Sequence, residues 1–135
     1  MDEERILVKI AQVEEYLKEL SDYLPETEQE YLESHLTQRA VERILQLIIE
    51  NIIDICALLV KEFQLGPPSD EDNIFQLLEG KITMVETLKS IKGFRNVLVH
   101  KYGELDSNKV YHIASEQSGD FWQFLEEVKI LLQQN

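Results

Sequence analysis

The stretch from Ala40 to Phe63 constrains the fold more than any other part of the chain. Val41, Ile44, Leu45, Ile48, Ile49, Ile52, Ile53, Ile55, Leu58 and Leu59 put apolar side chains on most of a helical circumference. Such a helix is central, covered by neighbouring helices or by a second chain. One polar stripe survives on it: Arg39, Arg43, Gln46, Glu50 and Asp54, spaced four, three, four and four, with Asn51 beside it. A stripe of this kind is ordinarily a solvated face. The other reading is the wall of a cleft, to which Glu42, Asn51 and Asp54 would contribute, and the sequence leaves that choice open.

The rest of the chain supplies the covering helices. Ile6, Ile10, Val13, Leu17, Leu20 and Leu24 repeat every three or four residues, which predicts a first helix from Asp2 to Tyr23, stopped by Pro25. Asp2, Glu3 and Glu4 suit its positive end. Residues 26–65 read as one long helix, bent before Thr37. Gly66-Pro67-Pro68 is a break. Ser69 with Asp72, and Thr83 with Glu86, read as capping boxes opening a short helix to Glu79 and a longer one beyond Gly80. Gly93 would permit a close approach or a kink in the longer helix, and Gly103 suits a left-handed cap at its end. Asp106 or Ser107 caps the next helix, to Gln117. The last begins at Gly119-Asp120 and buries Phe121, Phe124, Leu125, Val128, Leu131 and Leu132, with Trp122 expected in the core. The sum is an all-α bundle of five or six helices.

At 135 residues this is one domain, residues 1–135, large enough to need no disulfide or metal staple. The single cysteine, Cys56, reads as a small buried hydrophobe, which suits a reducing cytoplasmic setting. No run approaches the ~18 apolar residues of a membrane span, and the acidic opening Met1-Asp2-Glu3-Glu4-Arg5 is unlike a signal peptide.

The net charge of -13 disfavours indiscriminate nucleic-acid binding. Yet residues 81–101 carry Lys81, Lys89, Lys92, Arg95 and Lys101 against Glu86 alone. That basic island is either a phosphate-attracting surface or a solubilising helical face. It coincides with the densest chemistry in the chain, Arg95-Asn96-Val97-Leu98-Val99-His100-Lys101-Tyr102. An imidazole titrates near neutral pH and serves as base or acid. A guanidinium stays charged and forks onto phosphate oxygens. Asn96 and His100 are four apart and share a helical face. Arg95 and His100, at ~100° per residue, lie about 140° apart on a straight helix. They converge only if the helix ends near Val99 or a second chain supplies the opposing residues. The plainer readings are that Arg95 pairs with an acid such as Asp54, that His100 caps a helix C-terminus, and that Tyr102 packs over the helix end. His35, His100 and His112 show no metal-ligand spacing.

The pattern R-x4-H-x-Y, preceded by Gly93-Phe94 and with Asn96 directly after the arginine, resembles the signature of HEPN domains of the HepT-like kind. The order of elements resembles that family over nearly the whole chain. The resemblance implies a metal-independent endoribonuclease toxin without a cofactor, acting on RNA as a homodimer whose two motifs line one cleft. Arg95 and His100 would be catalytic and Asn96 supporting. Tyr102 would be the residue to which a cognate minimal nucleotidyltransferase antitoxin adds AMP, silencing the toxin. The alternative is a non-catalytic helical partner of a nucleotidyltransferase, holding its nucleotide or substrate.

Overall fold

The computed structural model describes residues 2–100 and 106–134, with Val99 and His100 as backbone alone. Among these residues there are seven helices and no strand: α1 Asp2–Tyr23, α2 Glu28–Leu32, α3 His35–Glu62, α4 Glu71–Leu77, α5 Val85–His100, α6 Ser107–Glu116 and α7 Ser118–Gln133. The all-α expectation holds. The helix count exceeds the expected five or six because the span read as one long helix is two. Thr27 caps α2 by accepting from the Glu30 amide, and Ser34 caps α3 by accepting from the Thr37 amide at 3.2 Å. Each hydroxyl satisfies a backbone donor that a helix start leaves open.

Buried Gln38 fastens this corner. Its amide nitrogen donates to the carbonyls of Tyr31 and Leu32, both at 3.1 Å, and its oxygen accepts from the Ser107 hydroxyl at 3.4 Å. The end of α2, the start of α3 and the start of α6 are thereby tied together. At the other end of the chain's first half, α1 lays its buried Ile6, Ile10, Val13, Leu17 and Leu20 along α3, the most extensive helix pairing in the fold. The apolar residues of α3 that define the sequence are buried, Cys56 among them. No helix among the described residues is long and apolar enough to cross a membrane.

Two expected caps shift. α4 is capped by Asp70, which accepts from the Asn73 amide at 2.8 Å, while Asn73 Oδ1 accepts from the Ser69 amide at 3.0 Å. The cap sits one residue later than Ser69, and the return bond from Asn73 reaches the Ser69 amide before the cap rather than the cap's own, so the expected box of Ser69 with Asp72 does not form. Thr83 is no box partner of Glu86. Its amide and hydroxyl both donate to the Glu127 carboxylate of α7, at 2.9 and 3.0 Å, so a tertiary acid replaces the local one. Among the described residues nothing lies within 4 Å of where a Cβ on Gly93 would stand, so no close approach is marked there. Trp122 is 37% exposed rather than core. Gly103 lies outside the described residues.

Candidate functional site

α5 carries the site and α4 confronts it. Leu88, Ile91 and Phe94 are buried and fix the rotation of α5, which leaves Arg95 and Asn96 on its outer side. Arg95 is half-buried and does not meet Asp54. Its Nη1 and Nη2 donate to the two carboxylate oxygens of Glu71, at 3.2 and 3.0 Å, and Nη2 also donates to Asn96 Oδ1 at 3.3 Å. Asp54 instead pairs with Lys9 of α1 at 3.3 Å. Asn51 donates to the Leu47 carbonyl, and Glu42 pairs with Arg39 at 3.6 Å. None of these three α3 residues bonds to Arg95 or Asn96 among the described residues.

Three cations of the basic island, Lys89, Lys92 and Arg95, are paired with acids. Lys92 lies 2.9 Å from Asp72 and 3.8 Å from Glu71, Lys89 lies 3.5 Å from Glu86 and 4.0 Å from Glu79, and Lys81 sits over the Phe63 ring. The acids of α4 therefore offset the positive charge that stands out in the sequence. Lys101 lies outside the described residues.

α5 is helical as far as His100, one residue beyond Val99, and the residues that follow it lie outside the described ones. On this one chain the two residues stay about 140° apart in helical register. The side chain of His100, and Tyr102 altogether, lie outside the described residues. Beside α5 a groove of about 410 Å³ opens toward α6, lined by Ile49, Gly93, Phe94, Val97, Lys109 and Gln117 among others. That size is within the range of small-ligand clefts. The two remaining histidines behave as expected of surface groups: His35 begins α3, and His112 is held between Glu28 at 2.8 Å and Glu116 at 3.3 Å. Among the described residues no group of three or more His, Cys, Asp or Glu side chains is placed to hold a metal ion.

The residue that sequence reasoning missed is Glu71. Acids at the start of a helix following a Pro break look like dipole partners, and no local spacing reveals that one of them reaches an arginine 24 positions on.

Comparison with known proteins places these observations in context. The model of the family described as ribonuclease HepT-like matches residues 13–128. An mRNA nuclease HepT from Shewanella oneidensis is 31% identical over 128 residues, 92% of this chain and 96% of that protein. A tRNA nuclease HepT from Aphanizomenon flos-aquae is 33% identical over 104 residues, 74% of this chain and 71% of that protein. Among solved structures, a tri-AMPylated HEPN toxin of Shewanella oneidensis in complex with its MNT antitoxin superposes with a TM-score of 0.84. It is 30% identical, covering 93% of this chain and 96% of that one.

Proposed function

The chain belongs to the ribonuclease HepT-like family, and on that premise we propose that it is an endoribonuclease toxin that cuts RNA without a metal, works as a homodimer in the cytoplasm, and is silenced by a nucleotidyltransferase antitoxin that adenylylates Tyr102. The observation that carries this reading is the set Arg95, Asn96, His100 and Tyr102, intact within the matched span.

The chemistry needs few groups. His100 takes the proton from a ribose 2′-hydroxyl, and the 2′-oxygen attacks the adjacent phosphorus. The new bond from the 2′-oxygen to phosphorus forms as the bond from phosphorus to the 5′-oxygen breaks. A second imidazole returns a proton to the departing 5′-oxygen. Charge growing on the phosphoryl oxygens is met by the Arg95 guanidinium. One chain has a single His100, and its Arg95 faces elsewhere in register, so a second copy completes both requirements. The groove beside α5 gives room for a nucleotide unit alongside the motif. Adenylylation joins the Tyr102 phenolic oxygen to the α-phosphorus of ATP and releases pyrophosphate. The added phosphate then occupies, with like charge, the place where RNA would lie.

The test is cleavage of mixed RNA by purified, unmodified protein in excess chelator. Wild type is expected to cut, and Arg95→Ala and His100→Ala to lose cleavage while retaining helicity. Cleavage by both variants at the wild-type rate would remove these two residues from catalysis. Absence of cleavage by protein shown by intact mass to be unmodified would favour the non-catalytic partner instead. Co-expression with the nucleotidyltransferase should add adenylyl mass to wild type and none to Tyr102→Phe.

A further inference from the structure

The way Arg95 is held determines how it can take a phosphate. A guanidinium has five N–H donors. Glu71 occupies one on each terminal nitrogen, and Asn96 Oδ1 occupies a second on Nη2. The two that remain without a partner among the described residues, on Nε and on the outer side of Nη1, point away from each other. No parallel pair is left for bidentate contact with two phosphoryl oxygens. One ligand must give way. Releasing Glu71 breaks two charge-assisted bonds, whereas releasing Asn96 breaks one bond to a neutral amide on an exposed side chain.

We propose that Glu71 is a positioning residue for RNA cleavage: it stays on the terminal edge of Arg95 and turns the Nε–Nη2 edge toward the scissile phosphate, which displaces Asn96. This inference rests on the ribonuclease reading above. It assigns Asn96 two states. In the free chain its carbonyl covers the phosphate-binding edge of Arg95. With RNA bound it is released, four residues before His100 and on the same helical face. It also accounts for the neutral cluster. Lys92, 2.9 Å from Asp72 and 3.8 Å from Glu71, balances the acids, so α4 orients Arg95 without leaving net negative charge in the phosphate's path.

A tie between α4 and α5 that only held the two helices together would look similar in a structure, and Asp72 separates the cases. The Asp72–Lys92 pair links the same two helices and does not touch Arg95. Rates are compared for wild type, Glu71→Gln, Asp72→Asn, Arg95→Lys and the double variant Arg95→Lys/Glu71→Gln, each well below its melting temperature. Misplacing the phosphate-holding fork lowers kcat by about ten- to a hundredfold in Glu71→Gln with little change in KM. Asp72→Asn keeps the wild-type kcat, and Glu71→Gln costs little more once Arg95 is lysine, which has no fork to orient. Equal losses in Glu71→Gln and Asp72→Asn would reduce Glu71 to a structural tether. A higher kcat/KM in Glu71→Gln would make it a competitor of RNA.

A second readout stands apart from catalysis. An RNA whose 2′-hydroxyls are replaced by hydrogen cannot be cut, and its titration should shift the Arg95 Nε–H NMR resonance and release the Asn96 side-chain amide. If wild type shows both changes but cuts no RNA, the ribonuclease reading fails while the positioning of Arg95 stands. Unmoved Asn96 with a displaced Glu71 carboxylate would overturn the inference.

Discussion

Tyr31 is fully buried, and its hydroxyl has no hydrogen-bond partner among the described residues. Its ring packs against Tyr111 with centroids 5.4 Å apart, so the aromatic body is well used while the polar tip is stranded. Burial, and next the Glu42 carboxylate, push the hydroxyl far above its ordinary range, with Arg39 opposing. A buried donor without a partner costs about 1–3 kcal/mol. Tyr31→Phe should therefore raise stability by about 1 kcal/mol, read as a higher denaturant midpoint at unchanged slope. A lower midpoint would mean that the hydroxyl is satisfied after all. Glu42, its neighbour, is itself raised above the usual carboxylate value by burial, with Arg39 acting against the shift. A carboxyl whose folded pKa exceeds its unfolded one disfavours folding wherever it is ionised in both states. The penalty shrinks as pH falls through the folded value and is gone below the unfolded one, 4.5. Glu42→Gln should accordingly melt higher than wild type at pH 7, with the two curves converging at pH 4 and below. A difference that persists in acid would point to packing rather than charge.

Helix boundaries follow from similarly local chemistry. α3 ends in a pair of bonds that close its last turn, Leu65 amide to Val60 carbonyl at 3.0 Å and Gln64 amide to Lys61 carbonyl at 3.2 Å. That arrangement requires a left-handed residue at Gln64, whose φ is +53°. Glycine is the usual occupant because an L side chain is strained there by roughly 1–2 kcal/mol. Gln64→Gly should stabilise the fold by about 1 kcal/mol, a gain that thermal unfolding at pH 7 would detect; a loss would show that the glutamine side chain packs usefully. The sequence pointed two residues too late, to Gly66-Pro67-Pro68, because the stop is made by a residue with no turn propensity of its own. The same limit explains the other boundaries. Regular stripes such as Ile6 to Leu20 were readable because periodicity is a local property. The division of residues 26–65 was not, since the buried Gln38 matters through partners on α2 and α6. The motif on α5 was legible as residue types at fixed spacing. Its electrostatic state was not, because Glu71 and Asp72 belong to another helix.

At the scale of the whole molecule, the unbroken run of α5 to His100 bears on assembly. On a straight helix Arg95 and His100 fall about 140° apart in register, so on the proposed reading one chain alone would hold half a site on each side. The homodimer proposed above would bring one chain's arginine to the other chain's histidine and provide two imidazoles, a base and an acid, in one cleft. The -13 charge of each chain opposes that pairing through self-repulsion, which favours assembly at moderate rather than very low salt. The consequence is measurable by subunit mixing. Wild type and His100→Ala, co-refolded in equal amounts, form all three pairs at random, and only a doubly wild-type dimer has both imidazoles. Cleavage per mole of total chain should fall to about a quarter of the wild-type value, not to about half as independent sites would give. A value of half, with the dimer confirmed by light scattering, would place a complete site within each chain and require Arg95 and His100 to meet through residues beyond α5.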